Sequence, residues 1–298
     1  MKFLFPLLTI LVYLSSCANS QESKHEIEEN QIFDIEISNP LIENRDSILV
    51  LLENKIANHE PLIVHAFVAL YGYNKEKYDG MAIWEDGMDP NTNLYWGSGY
   101  GFRTYFKRYD NWELVHQEQN ISDTVLERLI FKKTFSNNAE VYLIADAYIG
   151  YEMKTCLKNY FDALTEQNLD SITLNGITIA ANGNANLIVF NGHNGLMDNW
   201  VEPNYQKCSR LKETAVIACY SGLYFTPYLV NCYTYPLMIT KELIPAEAYI
   251  LSSIIEAWAL LKTENEIIDS VLEKYCSIHN YRKDQIKYMF KSGWDWEE

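Results

Sequence analysis

The sequence predicts an α/β protein with an open, mainly parallel sheet and helices on both faces. Four short segments are almost continuously apolar, which is typical of strands covered on both faces. Segments with helical spacing alternate with them, and this alternation favours an α/β sheet. The predicted strands are 61–71, 139–148, 185–190 and 214–219, and the predicted helices are 92–107, 150–166 and 245–262.

The last of these helices carries the clearest signals. Pro245 stands where a first helical turn tolerates proline, and apolar residues recur at helical spacing at Ala248, Leu251, Ile255 and Trp258.

The remaining organisation is simple. Segments 112–119 and 126–133 predict an additional hairpin. No internal repeat and no Pro-rich or Gly-rich linker interrupts 45–298, so we expect a single domain there.

Composition excludes several classes of protein. The 298 residues include 24 Lys and Arg against 40 Asp and Glu, a formal charge of −16, and 48% of the chain is apolar. This apolar content excludes disorder, and the length suffices for a large core. A strongly acidic surface repels phosphate, so nucleic acid is not expected as a partner, whereas basic or neutral partners fit.

The amino terminus has the form of an export signal. Lys2 precedes an apolar run over 3–14, which is too short to span a bilayer. Leu14-Ser15-Ser16-Cys17 follows and resembles the lipobox of bacterial lipoproteins. The resemblance implies a signal peptide over 1–16, lipidation of Cys17, a tether over 17–44 and a lipid-anchored position in the bacterial cell envelope. The alternative is an ordinary secreted protein that is cleaved near Ser16.

Five cysteines remain beyond the lipobox, at 156, 208, 219, 232 and 276. An odd number in an exported protein leaves at least one thiol unpaired within the chain. A disulfide between Cys208 and Cys232 is one option, but connectivity does not follow from sequence.

Two predicted strands end in residues that suit nucleophilic catalysis. One ends in a Gly-rich turn that contains His193, and the next ends at Cys219. Because sites of open α/β sheets lie at the carboxyl ends of strands, these side chains are expected to approach each other. An imidazole, or the start of a helix near Ser221, stabilises a thiolate. Backbone amides of Asn194, Gly195 and Cys219 are candidate donors to the oxyanion of a tetrahedral intermediate, so the pattern predicts acyl transfer and, most simply, peptide hydrolysis.

These turns resemble the caspase-like cysteine peptidases, which include caspases, metacaspases, legumain-like enzymes and gingipains. The matching segments are Phe190-Asn191-Gly192-His193 and Ala218-Cys219-Tyr220-Ser221-Gly222. The resemblance implies a caspase-like fold over about 61–262, with His193 and Cys219 as catalytic dyad and a peptide or protein as substrate.

A third match concerns substrate binding. Leu237-Met238-Ile239-Thr240, then a helix opened by Pro245, corresponds to the strand, substrate-binding loop and helix of legumain-like members. It implies a substrate-binding role for Thr240.

The chain also departs from the family pattern. Asn194 stands where the family has glycine after the histidine. His193 and Cys219 are 26 residues apart, against about 50 in caspases.

Other interpretations of these residues stay open. Asp146 is a candidate for binding a basic substrate group, with capping of the following turn as its alternative. Cys219 as a small buried residue and His193 as a loop histidine would give a non-catalytic binding or assembly lipoprotein. A hydrolase or transferase that uses Cys219 on another α/β scaffold is the third hypothesis.

Zinc ligands usually occur in closely spaced pairs, and this spacing is absent among His193, Asp198, Cys208 and Cys219. Neither a metal nor a cofactor is therefore expected.

Overall fold

The protein is described by a computed structural model that covers residues 39–72, 82–174, 176–245 and 247–295. The strands are β1 (Leu62–Ala69), β2 (Glu113–Gln119), β3 (Val125–Thr134), β4 (Glu140–Tyr148), β5 (Leu169–Leu174), β6 (Ile177–Asn182), β7 (Leu187–Gly192), β8 (Glu213–Ile217), β9 (Tyr235–Thr240) and β10 (Phe290–Lys291). The α-helices are α1 (Asp46–Ala57), α2 (Phe102–Arg108), α3 (Met153–Leu164), α4 (Ser221–Leu229), α5 (Tyr249–Ala259), α6 (Glu264–His279) and α7 (Lys283–Ile286).

Eight of the strands form one sheet in the order β10-β9-β8-β7-β1-β4-β3-β2. The five central strands from β9 to β4 are parallel, whereas β10, β3 and β2 are joined by antiparallel pairing. Strands β5 and β6 form a separate hairpin. The predicted fold class is confirmed: the protein has an α/β fold with a mainly parallel open sheet, consistent with a caspase-like arrangement.

Helices cover both faces of the sheet and give the protein two cores. Apolar residues of α1, α2, α5 and α6 pack on one face, and those of α3 and α4 pack on the other. The parallel strands are buried along their full length, as in β1 and β7. This double coverage explains why their sequences are continuously apolar rather than alternating.

The four predicted strands are confirmed with small shifts at their ends, and the predicted hairpin is confirmed as β2 and β3. Two helix predictions were partly wrong. Within 92–107 only α2 is an α-helix, because a close turn precedes it: a Cβ on Gly97 would lie 2.2 Å from the Pro90 carbonyl oxygen. Helix α5 begins at Tyr249, so Pro245 lies in the preceding loop and not in a first turn.

The chain packs against the domain from Asn39 onward, within the segment predicted as a tether. Asn39 is buried; its Nδ2 donates to the Gln206 carbonyl oxygen over 2.7 Å, and its Oδ1 accepts from the Cys208 amide over 2.7 Å. Arg45 then pairs with Glu213 at the amino end of β8. The predicted signal peptide and Cys17 lie outside the described residues. Within the part of the chain that the structure describes, no helix is long and apolar enough to cross a bilayer.

Candidate functional site

The ends of β7 and β8 bring the two predicted catalytic residues to one edge of the sheet. The strands are parallel neighbours, and Asn191 of β7 pairs with Ile217 of β8. His193 and Cys219 each follow two residues later, so they occupy equivalent places on strands that lie about 4.8 Å apart. The turns that carry the imidazole and the thiol therefore lie side by side.

The turn before His193 depends on a glycine. Gly192 has φ +138°, and a Cβ there would lie 2.3 Å from the carbonyl oxygen of Ala69 on β1. The His193 amide donates to that same oxygen over 3.2 Å. The end of β7 is thus held tightly against β1, and the absence of a side chain at 192 permits the close approach.

We expect Gly192→Ala to destabilise the protein by at least about 3 kcal/mol, because the new Cβ clashes with backbone and the φ angle is strained. Chemical denaturation of both proteins measures this change. Gly176→Ala is the matched control, since Gly176 also has a positive φ but a Cβ there meets no atom within 4 Å. An equal loss of stability in the two variants would contradict the steric explanation.

The imidazole of His193 has a partner that the sequence did not reveal. Its Nε2 lies 2.7 Å from Oδ2 of Asp198, and its ring packs on Tyr71 with a centroid distance of 4.4 Å. A short 3₁₀ turn, Gly195–Met197, returns the chain so that Asp198 reaches back to the histidine. This bond places the proton of a neutral imidazole on Nε2 and leaves Nδ1 as the basic nitrogen. In the sequence, Asp198 follows the histidine by only five residues, and this short separation is the signal that could have suggested the contact.

Asn194, which replaces the glycine of the family pattern, joins the two turns. Its Nδ2 donates to the Cys219 carbonyl oxygen over 2.6 Å, and its Oδ1 accepts from the Leu196 amide over 3.1 Å. Asn194 is fully buried, and its backbone N–H has no acceptor among the residues that the structure describes. A buried donor of this kind fits the predicted role of the Asn194 amide in binding an oxyanion.

The turn after Cys219 is strained and leads directly into a helix. Tyr220 adopts a left-handed conformation with φ +49°, which is uncommon for a residue other than glycine. Helix α4 begins at Ser221, as the sequence predicts, so its amino end lies next to Cys219. Helix amino termini favour negative charge such as that of a thiolate.

Thr240, predicted to bind substrate, forms hydrogen bonds to this turn. It is fully buried at the end of β9, and its Oγ1 lies 2.9 Å from Oγ of Ser221 and donates to the Ala218 carbonyl oxygen. Ser221 Oγ in turn donates to the Val216 carbonyl oxygen over 2.9 Å. The hydroxyl of Thr240 therefore helps to position the turn that carries Cys219.

Asp146, predicted to bind a basic substrate group or to cap a turn, is paired within the protein. Its carboxylate accepts from Arg128 Nε and Nη2 over 2.6 and 2.7 Å and from His65 Nε2 over 3.1 Å. The Asn182 amide donates to His65 Nδ1 over 2.8 Å, which places the histidine proton on Nε2, facing Asp146. A basic substrate group would have to displace Arg128, so the position of Asp146 favours a structural role.

The pairing of Asp146 with Arg128 and His65 makes the stability of the protein depend on pH. Burial raises the pKa of the carboxyl, but hydrogen bonds from Arg128 and His65, together with the charge of Arg128, outweigh burial and hold the pKa at about 2, below its ordinary value of 3.8. The folded-state pKa is depressed, so the stabilisation is complete above pH 5 and disappears as the pH falls from about 4 to 2, an effect of about 2 kcal/mol. Urea unfolding at pH 5 and pH 2.5 should show a smaller pH effect in Asp146→Asn, and an unchanged one would contradict this explanation.

Three of the other four cysteines, Cys156, Cys208 and Cys232, are buried thiols. Cys208 and Cys232 are both thiols rather than a disulfide, and both are buried. Burial raises the pKa of Cys156, Cys208 and Cys232 above its ordinary value of 9.0, which makes these thiols poor nucleophiles. Across 39–72, 82–174, 176–245 and 247–295, no group of three His, Cys, Asp or Glu side chains is arranged to hold a metal ion.

Comparisons with models of known protein families, with curated proteins and with solved structures find no match for this chain.

Proposed function

We propose that the chain is a lipid-anchored, exported cysteine peptidase of the caspase-like type, with Cys219 as nucleophile and His193 as its acid and base. The observation that supports this most is the register of β7 and β8, which places the two residues at equivalent positions on adjacent strand ends. The bond from Asn194 to the Cys219 carbonyl oxygen then holds the two turns together.

Each side chain of the site has a place in the reaction. The Cys219 thiolate attacks the carbonyl carbon of a peptide bond, and the developing oxyanion is bound by backbone donors such as the Asn194 amide. His193 gives its proton to the leaving amine as the C–N bond breaks, and a thioester remains on Cys219. Water that is deprotonated by His193 then hydrolyses the thioester. Asp198 orients the imidazole and stabilises its charged form.

Partner and location follow from the rest of the chain. The charge of −16 favours a basic or neutral polypeptide substrate and disfavours nucleic acid. A lipid on Cys17 would anchor the protein in the bacterial cell envelope. Arg45 pairs with Glu213 at the amino end of β8, so the chain enters the domain at the sheet edge opposite Cys219. The proposed catalytic edge is therefore turned away from the point at which the tether joins.

The test of the dyad is alkylation of Cys219 by iodoacetamide at pH 7, followed by mass spectrometry. We expect His193→Ala to slow this alkylation roughly tenfold, because an imidazolium next to the thiol stabilises the reactive thiolate. Asp198→Asn should give a smaller decrease, since it removes only the partner of the imidazole. Alkylation that is indifferent to the histidine would remove the dyad.

A second candidate function is non-catalytic binding or assembly on the same fold. One observation favours it: Cys219 is 2% exposed and His193 is 7% exposed, so neither side chain lies open to a substrate. Alkylation of Cys219 that is unchanged in His193→Ala would favour this function over the first.

A further inference from the structure

A loop of the protein lies directly over the proposed nucleophile. After β9, the chain passes the Cys219 turn, and the Cys219 Sγ lies 3.7 Å from the carbonyl oxygen of Ile244. The Tyr220 amide donates to the Glu242 carbonyl oxygen over 3.0 Å. The loop 241–245 thus places its own main chain against the thiol and the strained turn, which explains the low exposure of Cys219.

The chain shortly after this loop, at Glu247, is held by a buried polar cluster. Glu247, 5% exposed, lies with Oε2 2.6 Å from Nε2 of His279, the last residue of α6. The same Nε2 lies 2.9 Å from the hydroxyl of Tyr249 on α5. The next amide, that of Ala248, donates to the Tyr100 carbonyl oxygen over 2.9 Å. The Glu247–His279–Tyr249 cluster therefore ties the chain that follows the loop to the start of α5 and to the end of α6.

The residue after Ile244 is proline. The carbonyl group facing Cys219 therefore belongs to an Ile244–Pro245 bond, a tertiary amide whose nitrogen carries a ring and no hydrogen. The ring limits the backbone conformations on both sides of this bond and obstructs approach to it. Such a bond presents a carbonyl to the thiol and resists the cleavage that an ordinary peptide bond would undergo.

We propose that the loop 241–245 is an internal pseudosubstrate: it occupies the substrate's place at Cys219, Pro245 protects it from cleavage, and the Glu247–His279–Tyr249 cluster keeps it closed. The inference rests on the proposed peptidase function. An incoming polypeptide must displace this segment, so the closed structure is a latent form.

The first experiment measures access to Cys219 and does not require catalysis. Cys219 of the full-length protein is alkylated with N-ethylmaleimide, and its rate is compared in wild type, His279→Ala and Tyr249→Phe. Both variants should react roughly tenfold faster or more, because each weakens the buried cluster that holds Glu247, two residues beyond the loop. His116→Ala is the matched control, since His116 also pairs with a glutamate, Glu118 at 3.2 Å, on the exposed hairpin. Rates equal to that of the control would overturn the proposal. Tyr249→Phe removes only a hydroxyl and keeps the packed ring, so faster alkylation in this variant is not explained by a general folding defect.

The second experiment asks whether the loop lies in the productive orientation. Pro245→Ala converts the bond to an ordinary secondary amide, which Cys219 attacks at the Ile244 carbonyl carbon. The C–N bond then breaks, the new amine of residue 245 takes the proton, and water releases the Ile244 carboxylate. We expect a fragment of residues 245–298 by mass spectrometry, and none when Cys219→Ala is added.

The two experiments separate the proposals. If the opened variants hydrolyse fluorescent casein but Pro245→Ala stays intact, the pseudosubstrate is overturned while the peptidase function stands. If maleimide reacts faster in the opened variants but no variant hydrolyses casein or itself, the peptidase function fails and the loop is supported only as a cover of the thiol, so the pseudosubstrate fails with it.

Discussion

Cys219→Ala is expected to lower the hydrolysis of fluorescent casein by at least about 10³-fold, the usual scale for loss of a nucleophile. The reason is that no thioester forms without the sulfur, while the binding surface and backbone donors stay in place. The Tyr249→Phe background is the best one for this measurement, because there the loop 241–245 is expected to open. The comparison is therefore the double variant against Tyr249→Phe alone.

The control for this prediction is Cys276→Ala in the same background. Cys276 lies on α6 and is partly exposed, so it offers a thiol of ordinary accessibility away from the ends of β7 and β8. We expect it to retain full activity. Full activity in both cysteine variants would show that Cys219 is not the nucleophile. An equally large loss in both would show that the loss does not depend on the position of the thiol, and so does not identify Cys219 as the nucleophile.

Local sequence signals sufficed for most strands of the sheet and for the edge where the site lies. Strands covered on both faces have to be apolar, so β1, β4, β7 and β8 stand out in the sequence, and the residues after them follow directly. His193 and Cys219 were found in this way. Their adjacency needed only the assumption that consecutive parallel strands are neighbours, and the pairing of β7 with β8 confirms it.

Contacts between distant segments could not be predicted from sequence. Ile244 reaches Cys219 from a loop 25 residues away, and nothing in its own surroundings marks it. The bond between Glu247 and His279 joins a loop to the end of a helix that the sequence pattern did not reveal. Asp146 shows the same limit: a carboxylate near a strand end suits a specificity pocket until its partners Arg128 and His65 are known, and these come from two other strands.

The pairing of Asp146 leads to the largest expected effect on stability. We expect Arg128→Ala to destabilise the protein by about 3–5 kcal/mol, because it leaves a carboxylate that is 2% exposed and that has, among the described residues, only His65 as a side-chain partner. His65 cannot replace the lost charge, since its Nδ1 accepts a backbone hydrogen bond and the ring is then neutral. Urea denaturation at pH 7 measures the change.

Arg282→Ala is the matched control, because Arg282 makes an ion pair with Asp284 at 2.9 Å in which both side chains are exposed. Exposed pairs of this kind contribute roughly 0–1 kcal/mol, so little change is expected. The loss of stability in Arg128→Ala should also become smaller at low pH. The reason is that protonation of Asp146 neutralises the buried carboxylate that the substitution leaves without its cationic partner. A loss in Arg128→Ala no larger than in Arg282→Ala would mean that packing around β3 and β4, and not the buried charge pair, holds this side of the sheet together.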